Sequence, residues 1–211
     1  MRPLDGITII DLTRVLSGPY CTMLLADMGA RVIKIERPGT GDDTRAWGPP
    51  FVNGESSYFL SINRNKESVA LDFKEPRGRA ILDSLVARAD VVVENSHPGT
   101  LDAIGLGYAH LADRHPRLIY CSEKGFLSGP YENRTALDEV AQMMGGLAYM
   151  TGPPGQPLRG GTSVIDVQGG MFGAVGIIAA LHQRHTTGRG QNIVASLYES
   201  TVFLVGQHMA Q

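Results

Sequence analysis

The sequence predicts an α/β fold, a Rossmann-like large domain of parallel strands with flanking helices. Two observations predict it. Short apolar runs bounded by glycine and polar residues, the mark of buried strands, alternate with segments of helical apolar spacing. That alternation persists to about residue 123, the pattern of a sheet covered by helices on both faces.

Residues 7–12 (Ile-Thr-Ile-Ile-Asp-Leu) read as the first buried strand. Gly18-Pro19 punctuates a turn, and residues 20–28 carry Cys21, Leu24, Leu25 and Met28 on one helix face until Gly29 stops the helix. Residues 31–36 form a second strand and complete a strand–helix–strand unit, which is right-handed when its strands are parallel. Residues 38–57, rich in Gly, Pro, Asp and Asn, read as one long loop. A strand over 68–73 follows, then a helix over 76–89 with Pro early and Ala80, Ile81, Leu85 and Val86 inward, and a strand over 90–95. Residues 98–115 are helical and lead into a strand over 118–122.

Helical spacing returns over 138–149 and breaks at Thr151-Gly152-Pro153-Pro154-Gly155. A long helix runs over about 167–185. Its Gly169, Gly170, Gly173 and Gly176 each cost helix stability, which points to close approach by another backbone or a ligand. Thr187-Gly188-Arg189-Gly190 turns the chain into a last strand over 192–197, and residues 198–211 begin a helix with no visible stop signal. No internal repeat is present, so residues 1–211 read as one domain.

Composition narrows the function classes. With 43% hydrophobic residues the 211-residue chain can build a substantial core, and 19 Lys plus Arg against 21 Asp plus Glu argue against a nucleic-acid or acidic-lipid surface. Cys21 and Cys121 sit in apolar stretches, not in a CxxC pair, so neither a disulfide framework nor a zinc site is expected and a cytoplasmic location is the natural reading. Met1-Arg2-Pro3-Leu4-Asp5-Gly6 opens without an apolar h-region and no window reaches eighteen uninterrupted apolar residues, so neither a signal peptide nor a membrane span is expected.

Residues 13–19 pass from the first strand to a helix N-terminus, where free N–H groups and the helix dipole favour phosphate. A GxGxxG dinucleotide fingerprint is absent. Lys34, Arg37, Arg64, Lys66 and Lys74 lie near strand ends with charges suited to phosphates, or to plain solvated surface. Asp166 stands directly ahead of the glycine-rich helix. Two readings fit it: an N-cap, and a carboxylate nucleophile able to attack a thioester and kept ionised by the helix N-terminus. His182 and His185 have no obvious third metal ligand, so no metal site is expected. Met143, Met144, Met150 and Met171 read as core gap-fillers.

Several segments together resemble the family III CoA-transferases, the group of formyl-CoA transferase and carnitine CoA-transferase. They include Leu24-Leu25-Ala26-Asp27-Met28-Gly29-Ala30, Val32-Ile33-Lys34-Ile35-Glu36-Arg37-Pro38-Gly39, Val93-Glu94-Asn95 with Pro98-Gly99-Thr100-Leu101, Val140-Ala141-Gln142, and Thr187-Gly188-Arg189-Gly190-Gln191. The resemblance implies that this is the N-terminal half of such an enzyme, with the small domain and C-terminal return absent, and that two chains interlock in a homodimer. It further implies transfer of coenzyme A from an acyl-CoA to a small carboxylic or dicarboxylic acid, with coenzyme A as substrate and no permanently bound cofactor. Carried over by position, Val15, Leu16 and Ser17 would line the CoA site, and Arg37, Leu71, Lys74 and Asn95 would hold adenine and phosphates. Asp166 would form an aspartyl anhydride and then an aspartyl-CoA thioester, with Asp138 and Gln142 near the acyl group.

Departures from the family pattern occur at Asn95-Ser96-His97, where Asn-Phe-Arg is frequent, and at Glu123, where a small polar residue is usual. The same fold hosts acyl-CoA racemases, which pair the aspartate with a histidine just before the Asp138 position; Leu137 occupies that place here and cannot titrate. A non-catalytic CoA-binding module and a generic Rossmann oxidoreductase are the remaining alternatives, the latter disfavoured by the missing fingerprint.

Overall fold

In the computed structural model, which describes residues 1–209, a six-stranded parallel sheet organises the chain. Strands β1 (Thr8–Asp11), β2 (Arg31–Glu36), β5 (Lys66–Ala70), β6 (Val91–Glu94), β7 (Ile119–Lys124) and β8 (Asn192–Ser196) stand in the order β5-β2-β1-β6-β7-β8. The order runs outward in one direction from β1 through β2 to β5 and in the other through β6, β7 and β8. The topological switch point therefore lies between β1 and β6, where open α/β sheets hold ligands beyond the carboxyl ends of their strands.

Both faces of the sheet are covered. On one, α1 (Ser17–Asp27) and α7 (Val164–Thr187) bury Cys21, Leu25, Ile177 and Leu181 against Ile9, Val91 and Ile119. On the other, α3 (Pro76–Val86) and α4 (Tyr108–Arg114) bury Leu82, Val86 and Leu111 against Ile10, Ile33 and Tyr120. The inner strands β1 and β6 are buried from both sides, which accounts for their apolar runs, while the edge strands β5 and β8 are partly exposed and more polar.

Several elements differ from the sequence expectation. α1 begins at Ser17, so Gly18-Pro19 form its first turn, where a missing Pro N–H costs no hydrogen bond. The segment expected as one loop over 38–57 holds a 3-10 turn (Asp43–Ala46) and a hairpin of β3 (Phe51–Val52) and β4 (Glu55–Ser56), followed by α2 (Ser57–Asn63), capped by the Ser56 hydroxyl. In α3 it is Leu82 and Val86 that face inward, while Ala80 and Ile81 are exposed. The region 98–115 divides at Gly105, in the left-handed conformation, into a 3-10 turn (Asp102–Ile104) and α4. Gly146, also left-handed at φ +87°, splits the expected helix over 138–149 into α5 (Asp138–Met144) and α6 (Leu147–Thr151).

α7 is 24 residues long with mean hydropathy 1.7 over its best window, enough by length and composition to cross a membrane. It nonetheless packs along α1 as the central helix of the fold. Backbone approach decides its composition: a Cβ on Gly170 would stand 2.4 Å from the Ser17 carbonyl oxygen. The opposite face of α7 carries Met171, Phe172, Val175 and Ile178 into solvent, next to Phe203 of α8 (Leu197–Met209). Met143, Met144 and Met150 are likewise exposed, not core gap-fillers, because the broken α5–α6 pair turns that side outward. The last two residues of the helix expected over 198–211 lie outside the described residues.

Candidate active site

A cavity of about 450 Å³ opens at the switch point. The β1–α1 turn contributes Arg14, Val15, Leu16 and Ser17; the segment after β6 contributes Asn95, Ser96, His97 and Pro98; β7 ends in it at Glu123, Lys124 and Gly125; α7 supplies Asp166. The structure thus brings Val15, Leu16, Ser17, Asn95 and Asp166 together on one wall-to-wall site. Asp138 and Gln142 lie buried behind Asp166. Arg37, Leu71 and Lys74 fall outside the cavity lining: Arg37 pairs on the surface with Asp43, Leu71 packs against the core under α3, and Lys74 is exposed.

The β1–α1 turn is shaped by a buried ionic network. Lys34, 1% exposed, pairs with Asp42 at 2.9 Å and donates to the Thr13 carbonyl at 2.8 Å, while Asp42 accepts from the Val15 N–H at 3.3 Å. Lys66 Nζ lies 3.1 Å from Asp11 Oδ2 and donates to the Pro19 carbonyl at 2.9 Å; Asp11 also accepts from the Thr13 N–H at 2.8 Å. The anchored turn carries Val15 at φ 71°, a left-handed conformation that a β-branched residue adopts only when its surroundings impose it. Asn95 completes the clamp, its amide donating to the Arg14 carbonyl at 2.6 Å and its Oδ1 accepting from the Arg14 N–H at 3.0 Å. Lys34 and Lys66 therefore hold the turn from beneath and do not face the cavity, and Arg64 pairs with Asp27 on the surface.

The capping role considered for Asp166 belongs to another residue. Asp138 Oδ2 accepts from the Ile165 N–H at 2.7 Å and the Asp166 N–H at 3.2 Å, closing the start of α7, while Gln142 donates to its Oδ1. Gln142 Oε1 in turn accepts from the Gly160 N–H at 2.7 Å, tying down the segment that enters α7. Asp166 lies in the first turn with its carboxylate uninvolved in capping. Nor does the helix start depress its acidity: burial, followed by the neighbouring Asp138 charge, pushes Asp166 up to about 7, against a smaller opposing pull from Arg159.

Glu123 is the residue whose role the sequence left unread, although its departure from the family pattern was visible. It is buried, lines the cavity, and accepts a hydrogen bond from the Ser17 hydroxyl at 2.8 Å. Burial foremost, with the charge of Asp166 adding to it, pushes Glu123 up to about 8. Arg134 enters the same cavity, with no carboxylate within ion-pair distance among the described residues.

Two raised carboxyls, Asp166 and Glu123, thus share a cavity with Arg14 and Arg134 beyond the carboxyl ends of the strands of a doubly wound α/β domain, the arrangement of a candidate active site. The family model for CoA-transferase family III matches residues 4–211, and the chain belongs to that family. It is 49% identical to succinyl-CoA:glutarate CoA-transferase of Mus musculus, over 100% of this chain and 51% of the relative, and 48% identical to acetyl-CoA:oxalate CoA-transferase of Acetobacter aceti, over 95% and 52%. Among solved structures, a CAIB/BAIF family protein from Brucella suis superposes with a TM-score of 0.94 at 42% identity, covering 99% of this chain and 57% of that one. The chain spans about half the length of the curated relatives it matches.

Proposed function

We propose that this protein transfers coenzyme A from an acyl-CoA thioester to a small carboxylic or dicarboxylic acid, with Asp166 as the nucleophile. The observation that supports it most is the placement of Asp166: inside the switch-point cavity, beside the β1–α1 turn, free of capping duty, and with an affinity for protons near neutrality. The more basic a carboxylate, the more nucleophilic it is, and near pH 7 a substantial fraction of Asp166 is ionised.

In the proposed sequence the Asp166 carboxylate attacks the thioester carbonyl and CoA thiolate leaves, giving a mixed anhydride. The thiolate attacks the aspartyl carbonyl, releasing the donor acid as its carboxylate and forming an aspartyl-CoA thioester. The acceptor carboxylate repeats the two steps in reverse order, so charge balances without a resident cofactor. N–H groups at the start of α1 and the cations Arg14 and Arg134 suit the phosphates of coenzyme A or the carboxylate of the second acid. The relatives' named substrates, succinyl, glutarate, acetyl and oxalate groups, favour short acids as partners.

The racemase alternative is disfavoured because Leu137, which cannot titrate, lines the cavity at the place where racemases of this fold carry a histidine. The exposed apolar face of α7 and α8 (Met171, Phe172, Val175, Phe203) is where we place the second chain of a homodimer or the remainder of the polypeptide.

The test is intact-protein mass spectrometry of the full-length protein with a panel of acyl-CoAs and a hydroxylamine trap, comparing wild type with Asp166→Ala. A CoA adduct or hydroxamate that maps to Asp166 and vanishes in the variant supports the reading. Exchange of the substrate α-proton without any adduct would instead establish the racemase, and no reaction with any donor would leave a binding module.

A further inference from the structure

Asp166, Gly169, Gly170 and Gly173 fall on one face of α7, spaced three, four and seven residues from the aspartate. Against that stripe lie Ser17 and Glu123. The Ser17 Oγ is 3.2 Å from the point a Gly169 Cβ would occupy, and Glu123 Oε1 is 2.0 Å from the point a Gly173 Cβ would occupy. The glycines thus make a cradle that admits a buried carboxyl next to the nucleophile. Within it, Glu123 Oε2 contacts the Ser17 hydroxyl at 2.8 Å, and Oε1 has no hydrogen-bond partner among the described residues.

An ionised carboxylate with one oxygen orphaned in the interior carries a large desolvation cost, whereas a neutral acid does not. The charges of Asp166 on α7 and Glu94 on β6 reinforce this, against an opposing pull from the Ser17 hydroxyl and the Cys21 thiol of α1; Cys121 faces it from its own strand. Opposite it in register on β8 stands Ala195. The adjacent Lys124 turns away, to Glu94 at 2.6 Å and the Ser96 carbonyl at 2.9 Å. No cation compensates Glu123 among the described residues.

We propose that Glu123 works as a neutral carboxylic acid that donates its Oε2 proton to Ser17 Oγ, and so turns the Ser17 hydroxyl into the cavity as a hydrogen-bond donor to the thioester carbonyl attacked by Asp166. In that state Oε1 is a carbonyl oxygen, cheap to leave unpaired, and the Ser17 proton is released from Glu123 to stabilise the oxyanion that forms in the attack. Ionisation of Glu123 reverses both effects: it recaptures the Ser17 proton and sets a second negative charge beside Asp166. Glu123 is a positioning residue in this scheme, acting through Ser17. The inference deepens the proposed transferase chemistry and rests on it.

The experiment uses the full-length protein with the acyl-CoA found productive above. Ser17→Ala and Glu123→Ala should each lower kcat by about 100-fold with little change in KM, the scale of losing one oxyanion donor. Glu123→Gln, whose amide can donate to Ser17 Oγ without titrating, should recover most of that loss and remove the alkaline fall in rate, which in the wild type has its midpoint near pH 8. A Glu123→Gln variant as impaired as Glu123→Ala, or one that keeps the alkaline fall, overturns the proposal. A readout independent of turnover separates this from failure of the transferase reading: infrared difference spectra of wild type against Glu123→Gln should show a protonated-carboxyl band at pH 6.5 that fades on alkaline titration. Absence of that band overturns the proposal whether or not CoA is transferred. Its presence, together with a loss of kcat in Ser17→Ala that leaves the affinity for acyl-CoA nearly unchanged, upholds it.

Discussion

Asp138 holds the helix that carries Asp166 and at the same time sets its acidity. One carboxylate oxygen of Asp138 accepts the backbone N–H groups of Ile165 and Asp166, at 2.7 and 3.2 Å, while its negative charge, after burial, is the main cause that raises the Asp166 pKa to about 7. Structure and reactivity are coupled through a single side chain. The proposed nucleophile is kept basic by the group that fixes its position.

Asp138→Asn separates the two effects. The amide oxygen can still accept from the start of α7, so the loss of stability should be about 1–2 kcal/mol, measured by urea denaturation. Removing the charge lowers the Asp166 pKa, so the acidic limb of the kcat/KM profile should move to lower pH. An unmoved limb would mean that Asp166 is not the group titrating in it.

Lys34→Met and Lys66→Met each strand a buried aspartate, Asp42 and Asp11 respectively. Breaking a buried pair by removing one partner costs about 3–5 kcal/mol, and each variant should show a loss of that size on denaturation. Because Lys34 also anchors Thr13 and Asp42 anchors Val15, CoA affinity should fall in the folded fraction of Lys34→Met, as read by calorimetry.

Gly170→Ala and Gly176→Ala should differ. At Gly170 the added carbon meets the Ser17 backbone oxygen at 2.4 Å, which cannot yield without moving α1, and the strain should exceed the helix-propensity gain by about 2 kcal/mol or more. At Gly176 the nearest atom is the Ile193 Cγ2 side-chain methyl at 2.9 Å, so the cost should be smaller. Equal thermal shifts for the two would contradict the close α1–α7 approach.

Stability should fall at both ends of the pH scale, for opposite reasons. Glu36, bonded to Arg45, Ser68 and the Asp42 N–H, and Asp11, beside Lys66 and Lys34, are both lowered to about 2 despite burial. The stability they contribute is present above their unfolded values and lost as pH falls toward 2. Glu123 and Asp166 are raised, so the folded state holds protons that the unfolded chain has released, and stability declines as pH rises from about 4 toward 8. Glu123→Gln should therefore raise Tm at pH 8 and leave it nearly unaltered at pH 4, a difference on the order of a few kcal/mol. A uniform shift across pH would show that Glu123 is ionised throughout.

The inner strands of the sheet were legible because strands buried on both faces need predominantly apolar runs, and residues 7–12, and Val32, Ile33 and Ile35 within 31–36, say so without help from the rest of the chain. Asp166 was legible as a candidate because an acid ahead of four helical glycines is unusual in any context. The helix boundaries and inward faces were less so. Ile81 and Leu82 are equally apolar, and only the docking of α3 on β2 and β6 decides that Leu82 is the buried one.

The sequence by itself determined the fold class, the family and the identity of the candidate nucleophile, since these rest on local periodicity and on the order of short motifs. Tertiary structure alone decided which charges are ligands and which are girders. Lys34 and Lys66 look like phosphate binders or solvated surface until the sheet buries them under the β1–α1 turn, and Glu123 is only a departure from the family pattern until β7 delivers it into the glycine cradle of α7. The physical reason is that the protonation state and reach of a charged group follow from its desolvation and its neighbours, which for Asp166 lie 28 residues away at Asp138 and for Glu123 lie 106 residues away at Ser17.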